Sequence, residues 1–150
     1  MTNDLIELLK ESLLVLDKAK NILEYSFTSC ASIGIKEEYT YEELDKFEAL
    51  NSRFARLSDI LIKKIFRLIF QIELEPEGTV RDLINKAEQK ELIEKSEIFI
   101  EIRILRNSIS HEYILSNLQT IFQQVLLYTP ELLKGAEKAK KYSNKFINNN

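Results

Sequence analysis

Hydrophobic residues recur every three or four positions along most of the chain, which is the period of an amphipathic α-helix. The first stripe predicts a helix of many turns that begins near the start of the chain and is capped at its C-terminal end by Gly34. Its members are Leu5, Leu9, Leu13, Leu16, Ala19, Leu23 and Phe27. Leu8, Val15 and Ile22 widen this stripe. The extra width predicts that the helix packs against more than one neighbour.

A second long helix is predicted after Thr40, because Thr40 and Glu43 have the spacing of a capping box. Its apolar stripe comprises Leu44, Phe47, Leu50, Phe54, Leu57, Leu61, Ile65 and Leu68. In its second half most other positions are apolar too, namely Ile60, Ile62, Phe66, Ile69 and Phe70. A helix that is apolar nearly all round lies either in the deep core or at an oligomer interface.

Two further helical patterns follow the clearest break in the chain, residues 73–78, which contains Pro76. Thr79 is the expected N-cap of a short helix. Residues 90–96 allow either a turn or a continuation of that helix. The next helix has apolar residues every three or four positions, namely Ile98, Ile102, Leu105 and Ile109.

The last part of the chain carries another apolar stripe. Ser116 and Gln119 have capping-box spacing. Pro130 is expected to end the helix that follows or to start a new one, since proline fits the first turn of a helix. No strand pattern, internal repeat or linker is found. The chain is therefore predicted to form one all-α domain over residues 1–150, an antiparallel bundle of about five helices.

Composition agrees with this picture and narrows the function. Three Gly and two Pro in 150 residues favour long helices. The single cysteine, Cys30, excludes an intrachain disulfide and a zinc site built from several cysteines. No signal-like pattern opens the chain and no apolar run exceeds four residues, so we expect a cytoplasmic protein that does not span a membrane. A net charge of -3 argues against a general nucleic-acid coat.

Positive charge is nevertheless concentrated in two places. One cluster lies on the second helix and comprises Arg53, Arg56, Lys63, Lys64 and Arg67, with only Asp59 among them as an acid. The other lies near the C-terminus and comprises Lys134, Lys138, Lys140, Lys141 and Lys145. Each cluster is interpreted either as a solvated helix face or as a local strip that binds phosphate.

The residues with the clearest chemical potential lie in the stretch 98–113. It contains the only histidine, His111, with Arg106 five positions before it and Asn107 next to that arginine. Arginine binds phosphate oxygens through a planar fork, and histidine transfers protons near neutral pH. Without a carboxylate or cysteine cluster nearby, this set suits metal-independent cleavage of RNA, in which the 2′-hydroxyl attacks the neighbouring phosphate.

Helix geometry limits how this site can be assembled. At about 100° per residue, Arg106 and His111 point roughly 140° apart on an unbroken helix. Either the helix distorts between them, or the long arginine reaches round, or two chains share the site. One histidine does not serve conveniently as both acid and base, whereas a symmetric dimer supplies two.

The octapeptide 106–113, Arg-Asn-Ser-Ile-Ser-His-Glu-Tyr, resembles the Arg-x4-His-x-Tyr motif of HepT-like toxins in the HEPN superfamily. This resemblance implies a HEPN-like bundle that dimerises and cleaves RNA without a metal or other cofactor, at a cleft containing both Arg–His pairs. It also implies a partner, a minimal nucleotidyltransferase antitoxin that attaches AMP to the tyrosine of the motif, here Tyr113.

The roles expected from this interpretation are proton transfer by His111, phosphate binding by Arg106 and orientation by Asn107. Arg103 is a weaker candidate for substrate contact. Two other functions remain open at this point: a non-catalytic substrate-binding subunit of a nucleotidyltransferase, and a helical interaction protein without catalysis. In the structural alternative, Arg106 pairs with an acidic residue, His111 caps a helix and Tyr113 is a packing residue.

Overall fold

Helices account for nearly all of the chain that the structure describes. The structure is a computed structural model, and it describes residues 2–111 and 118–148, with only the backbone of His111. In chain order the helices are α1 (Thr2–Ile33), α2 (Tyr41–Asp59), a π-helical segment (Ile60–Phe66), α3 (Arg67–Ile72), α4 (Val80–Gln89), α5 (Ser96–His111) and α6 (Leu118–Ile147). Because α2, the π-helical segment and α3 are continuous, they form one rod. The five resulting rods, with no strand in the described ranges, confirm the predicted all-helical class.

Contacts between the rods give their directions. The end of α1 meets the start of α2, where the Cys30 thiol donates to the Lys46 carbonyl oxygen at 3.4 Å. The start of α1 meets the end of α3, since Leu5 and Gln71 line the same surface recess. The rod 41–72 is therefore antiparallel to α1. In α6, Lys140 lies 3.1 Å from Asp17 of α1 and Gln119 donates to the Lys36 carbonyl, so α6 is also antiparallel to α1.

The helix boundaries follow the capping residues that the sequence predicts. Thr40 and Glu43 form a complete capping box at the start of α2. Thr79 caps α4 and forms a second capping box with Asp82. Gly34 has a φ of 74°, a left-handed conformation that glycine adopts without steric cost, and its N–H bonds to Cys30 after the end of α1.

The apolar second half of the rod 41–72 lies in the core of the single chain. The π-helical segment packs against α1, α4 and α6. Its apolar residues Leu61, Ile62, Ile65 and Phe66 are all fully buried. Burial from several sides explains why this part of the rod is apolar nearly all round. Of the two interpretations of the sequence, deep core is confirmed, and these residues do not support an oligomer interface.

At Pro130 the structure departs from the prediction. Pro130 neither ends nor restarts a helix, because α6 continues through it. A proline lacks the N–H that would bond to the previous turn, so α6 loses one backbone hydrogen bond here, and the Thr129 hydroxyl donates to the Val125 carbonyl oxygen at 2.6 Å. After Gln89 the chain forms a turn rather than more helix, with Glu91 at a φ of 62°. The predicted cap at Ser116 lies outside the described residues.

The C-terminal lysine cluster is engaged in ion pairs. Lys134 and Lys138 both approach Glu94, Lys140 approaches Asp17, and Lys145 approaches Glu73. Since four of the five lysines have carboxylate partners, this cluster is a solvated, charge-paired helix face rather than a free phosphate-binding strip. No helix in the described ranges is both long enough and apolar enough to cross a membrane.

Gly135 sets the closest approach between α5 and α6. A Cβ atom at this position would lie 2.5 Å from Cζ of Phe99, whose side chain is buried. Glycine is unfavourable inside a helix by about 1 kcal/mol relative to alanine. Its presence in the middle of α6 is therefore explained by packing against Phe99.

We expect Gly135→Ala to lower the free energy of unfolding, although alanine is the better helix former. Overpacking a filled core costs about 1–3 kcal/mol, which exceeds the gain in helix propensity. Urea unfolding followed by circular dichroism measures the change. In a Phe99→Leu background, which removes the clashing ring atom, the same substitution should be neutral or stabilising. An identical effect in both backgrounds would contradict this account of Gly135.

Candidate functional site

A groove of about 580 Å³ opens between α2, the last turns of α5 and the first turns of α6. Its walls combine charged, polar and apolar side chains. The charged ones are Glu48, Arg56, Asp59 and Arg106, and the polar ones are Asn51, Ser52 and Ser110. The apolar ones are Ala55, Ile60, Ile109, Leu118 and Ile121. The volume is that of a small-molecule or single-nucleotide site rather than of a solvent dimple.

Arg106 is held in this groove by a carboxylate from another rod. Its Nε donates to Oδ1 of Asp59 at 2.8 Å, and its Nη2 donates to Oδ2 at 2.7 Å. This two-point pairing fixes the plane of the guanidinium. The remaining nitrogen, Nη1, donates to the Ser110 hydroxyl one turn further along α5.

Arg103 shares the same carboxylate. Its Nη1 donates to Oδ1 of Asp59 at 2.9 Å, so the two arginines of α5 bind one acid at the end of α2. All three side chains are half-buried. The pairing of Arg106 with an acidic residue of another helix, which was the structural alternative from the sequence, is therefore present, and its partner is Asp59.

The pKa values of this cluster reflect the competition between burial and ion pairing. Burial raises the pKa of the Asp59 carboxyl, but the hydrogen bonds and charge of Arg106, helped by Arg103, outweigh it and hold the pKa below its usual value. The hydrogen bonds that Arg106 donates to Asp59 raise the pKa of the Arg106 guanidinium. The cluster is thus a carboxylate with two guanidinium ions at neutral pH, with one positive charge in excess.

Asp59 lies where the rod changes from α-helix to π-helix. The π-helical segment begins at the next residue, Ile60, which also lines the groove. π-Helical turns are rare and occur frequently at functional sites. Sequence reasoning did not select Asp59 as a site residue, although it was the one acid among the basic residues of the second helix, and that isolation was the available signal.

The structure describes only part of the other predicted site residues, Asn107, His111 and Tyr113. Helix α5 runs without interruption to His111, so the backbone positions of Arg106 and His111 are roughly 140° apart. Helix distortion between them, one of the three possible ways to assemble the site, is therefore absent. Asn107 is exposed. The side chain of His111 and all of Tyr113 lie outside the described residues.

Asn51 is a second groove residue that the sequence did not single out. Its Oδ1 atom is buried and has no hydrogen-bond partner among the described residues. Asn51, Ala55 and Asp59 are spaced by four residues, so they share one face of α2 toward the groove. An amide with an unused acceptor beside a charge cluster is a feature of sites that recognise polar ligands.

Other reactive chemistry is not assembled in the described part of the chain. No group of three or more His, Cys, Asp or Glu side chains suited to a metal ion occurs there. Cys30 is buried, and burial raises the pKa of its thiol to about 11. A thiol with that pKa is protonated at neutral pH, so Cys30 is a core residue rather than a nucleophile.

Comparisons with known proteins do not add to this description. No protein-family model matches the chain, and no curated protein matches it. The resemblance of residues 106–113 to the motif of HepT-like toxins therefore stays a prediction.

We expect Asp59→Asn to destabilise the protein by about 1–2 kcal/mol at pH 7, because two half-buried arginines lose their charged partner. The folded-state pKa of Asp59 is below its unfolded value, about 3.9. Its stabilising contribution is therefore complete above that value and is lost as the pH falls through the folded-state pKa. Urea unfolding between pH 7 and pH 3 should show the difference between wild type and variant shrinking at the acidic end.

Asp45→Asn is the matched control, since Asp45 is exposed on the same helix. It should change stability by less than about 0.5 kcal/mol at any pH. A loss in Asp59→Asn that stays constant down to pH 3 would contradict the ionic role assigned to Asp59.

Proposed function

We propose that this protein is a metal-independent endoribonuclease of the HEPN type and acts in the cytoplasm as the toxin of a toxin–antitoxin pair. In this proposal the active unit is a homodimer. Arg106 binds the scissile phosphate and His111 transfers protons. Asn107 orients the reacting groups, and a minimal nucleotidyltransferase is the antitoxin.

The observation that carries the proposal is the orientation of Arg106 in the groove. A guanidinium has five N–H donors, and Asp59 and Ser110 accept from three of them. Among the described residues the other two donors have no partner, so they are available for phosphate oxygens. The side chain has already lost most of its conformational freedom. A preorganised donor of this kind stabilises charge in a transition state at little reorganisation cost. The only histidine follows five residues later on the same helix.

The unbroken helix favours a site shared by two chains. Asp59 holds the Arg106 side chain toward α2, while the backbone of His111 lies on a different face of α5. The arginine cannot keep its bonds to Asp59 and also reach round the helix. A second protomer that presents its own His111 resolves this conflict and supplies separate acid and base groups.

An exposed apolar surface next to the groove supports a dimer. Val15 and Ile22 of α1 are each 44% exposed, although they belong to the widened stripe that predicts an additional neighbour. Val15 borders a recess formed with Lys63, Asp59 and Ile60, and the last two of these residues also line the Arg106 groove. A second copy packed over this recess would therefore lie beside the proposed site.

In the proposed reaction, His111 of one chain removes the proton from a ribose 2′-hydroxyl. The 2′-oxygen attacks the phosphorus, the bond from phosphorus to the 5′-oxygen breaks, and His111 of the other chain protonates the leaving oxygen. Arg106 balances the negative charge that accumulates on the phosphate oxygens. The products are a 2′,3′-cyclic phosphate and a 5′-hydroxyl.

A non-catalytic substrate-binding subunit of a nucleotidyltransferase is the second candidate. Two observations favour it: the net charge of -3, which opposes RNA binding, and the carboxylate of Asp59, which neutralises much of the charge of Arg106. The two candidates differ in whether the purified protein cleaves RNA.

Cleavage should persist in excess EDTA, because the proposed mechanism uses only Arg106 and His111. The new ends should be cyclic 2′,3′-phosphate and 5′-hydroxyl, as identified by end-labelling and mass spectrometry of a short RNA. His111→Ala should reduce the rate at least 100-fold. Lys141→Ala, on the exposed side of α6, is the control and should be fully active. Cleavage that stops in EDTA and returns with a divalent ion, or 3′-hydroxyl ends, would refute the mechanism.

Tyr113→Phe should retain cleavage but become resistant to the nucleotidyltransferase. AMP on the Tyr113 hydroxyl would add a bulky anionic group near the phosphate-binding arginine and so block RNA. Intact-mass spectrometry after co-expression should show the mass of AMP on wild type and not on Tyr113→Phe. The tyrosine assignment fails if the modified mass persists in the variant.

A further inference from the structure

Among the residues that line the groove, the proposed reaction uses Arg106 and the two residues that hold it, Asp59 and Ser110. The groove is also lined by Glu48, Asn51, Ser52 and Arg56 of α2 and by an apolar surface. This apolar surface consists of Ala55, Ile60, Ile109, Leu118 and Ile121. A phosphate clamp requires none of these residues. An apolar wall with a few polar groups is typical of a ligand pocket. Such a lining suits a polar ring such as a nucleobase.

Asn51 indicates which polar edge such a ring presents. Its unpartnered buried atom is the amide oxygen, which accepts hydrogen bonds and cannot donate them. A ligand that satisfies it must therefore bring an N–H or O–H donor. An exocyclic amino group on a nucleobase provides that donor beside a ring nitrogen that accepts from the amide NH₂, as in the pairing of asparagine with adenine.

The other α2 side chains that line the groove, Glu48, Ser52 and Arg56, suit the ribose and the phosphate of a nucleotide. Arg56 is exposed and forms no ion pair with any carboxylate of the described chain, so its guanidinium is free to bind a phosphate. Ser52 and Arg56 are four residues apart and therefore lie on one side of the helix. Glu48 would repel a phosphate but accepts hydrogen bonds from ribose hydroxyls, and it lies two turns from Arg56.

We propose that this groove binds a nucleotide whose base carries an exocyclic amino group beside an accepting ring nitrogen on its Watson–Crick edge, namely adenine or cytosine. In this arrangement the base packs on the apolar wall, Asn51 pairs with its amino edge, and Arg56 binds its phosphate. The inference deepens the proposed function, because the natural source of the nucleotide is then a residue of the RNA substrate next to the cleaved bond. A free nucleotide has the same chemistry, and the experiment separates the two sources.

The test is a binding measurement on the His111→Ala protein, in which cleavage plays no part. Isothermal titration calorimetry compares AMP with IMP, which carries a keto group in place of the amino group of AMP. The same measurement with CMP and UMP repeats the comparison for pyrimidines. We expect the amino-bearing member of each pair to bind about tenfold more tightly. Equal affinities within both pairs, or no saturable binding of any nucleotide or oligonucleotide, would overturn the proposal.

Variants then assign the roles of the two residues. Asn51→Leu, which keeps the branched shape of the side chain but removes its polar atoms, should abolish the preference for AMP over IMP. Arg56→Gln should weaken all four nucleotides alike and reduce the salt dependence of binding. Arg81→Gln, on the exposed face of α4, is the control and should change nothing. An unchanged AMP preference in folded Asn51→Leu would also overturn the assignment, and the wild-type comparison stands even if that variant does not fold.

A second arm uses short oligonucleotides of adenosine and of inosine. Tighter binding of the adenosine oligomer, with weak binding of AMP, would support the proposal with RNA as the source. Equal binding of AMP and of the oligomer would support it with a free nucleotide as the source. Because neither arm measures cleavage, the pocket survives if the ribonuclease proposal fails, and the ribonuclease proposal survives if the base preference is absent.

Discussion

One carboxylate determines the geometry of the proposed site. Asp59 accepts hydrogen bonds from Arg103 and Arg106 at 2.7–2.9 Å and so links the end of α2 to α5. This link holds Arg106 toward the groove. Because α5 is unbroken to His111, the same link prevents Arg106 from following the helix round toward its own histidine. Orientation of the arginine and the requirement for a second chain are thus consequences of one interaction.

Packing in the core holds α5 and the end of α2 in this geometry. The π-helical segment that follows Asp59 packs against α1, α4 and α6, and its side chains Leu61, Ile62, Ile65 and Phe66 are fully buried. On the same face of α5, one turn before Arg103, Gly135 lets α6 approach Phe99 closely. The two arginines therefore project from a helix that is packed firmly, and their partner stands at the start of a buried segment. A rigid setting of this kind is what a preorganised phosphate site requires.

Local rules allowed much of the fold to be predicted from the sequence. The capping boxes at Thr40 and Thr79 and the glycine cap at Gly34 depend on a few adjacent residues. The helix ends that they define could therefore be predicted from the sequence. Pro130 was predicted wrongly because packing of a long helix outweighs the local cost of a proline. Asp59 and Asn51 were missed because their importance comes from residues far along the chain: Asp59 meets Arg106 across 47 positions. The change to π-helix after Asp59 has no comparable local signal.

The most direct test of the shared site is the activity of mixed dimers. Wild type and His111→Ala are mixed in known proportions, allowed to exchange subunits, and assayed for RNA cleavage. If acid and base come from different chains, only dimers with two wild-type chains are active, and activity follows the square of the wild-type fraction, about one quarter in an equal mixture. Activity that falls linearly, to about one half, would show that one His111 is enough at each site and would contradict the account.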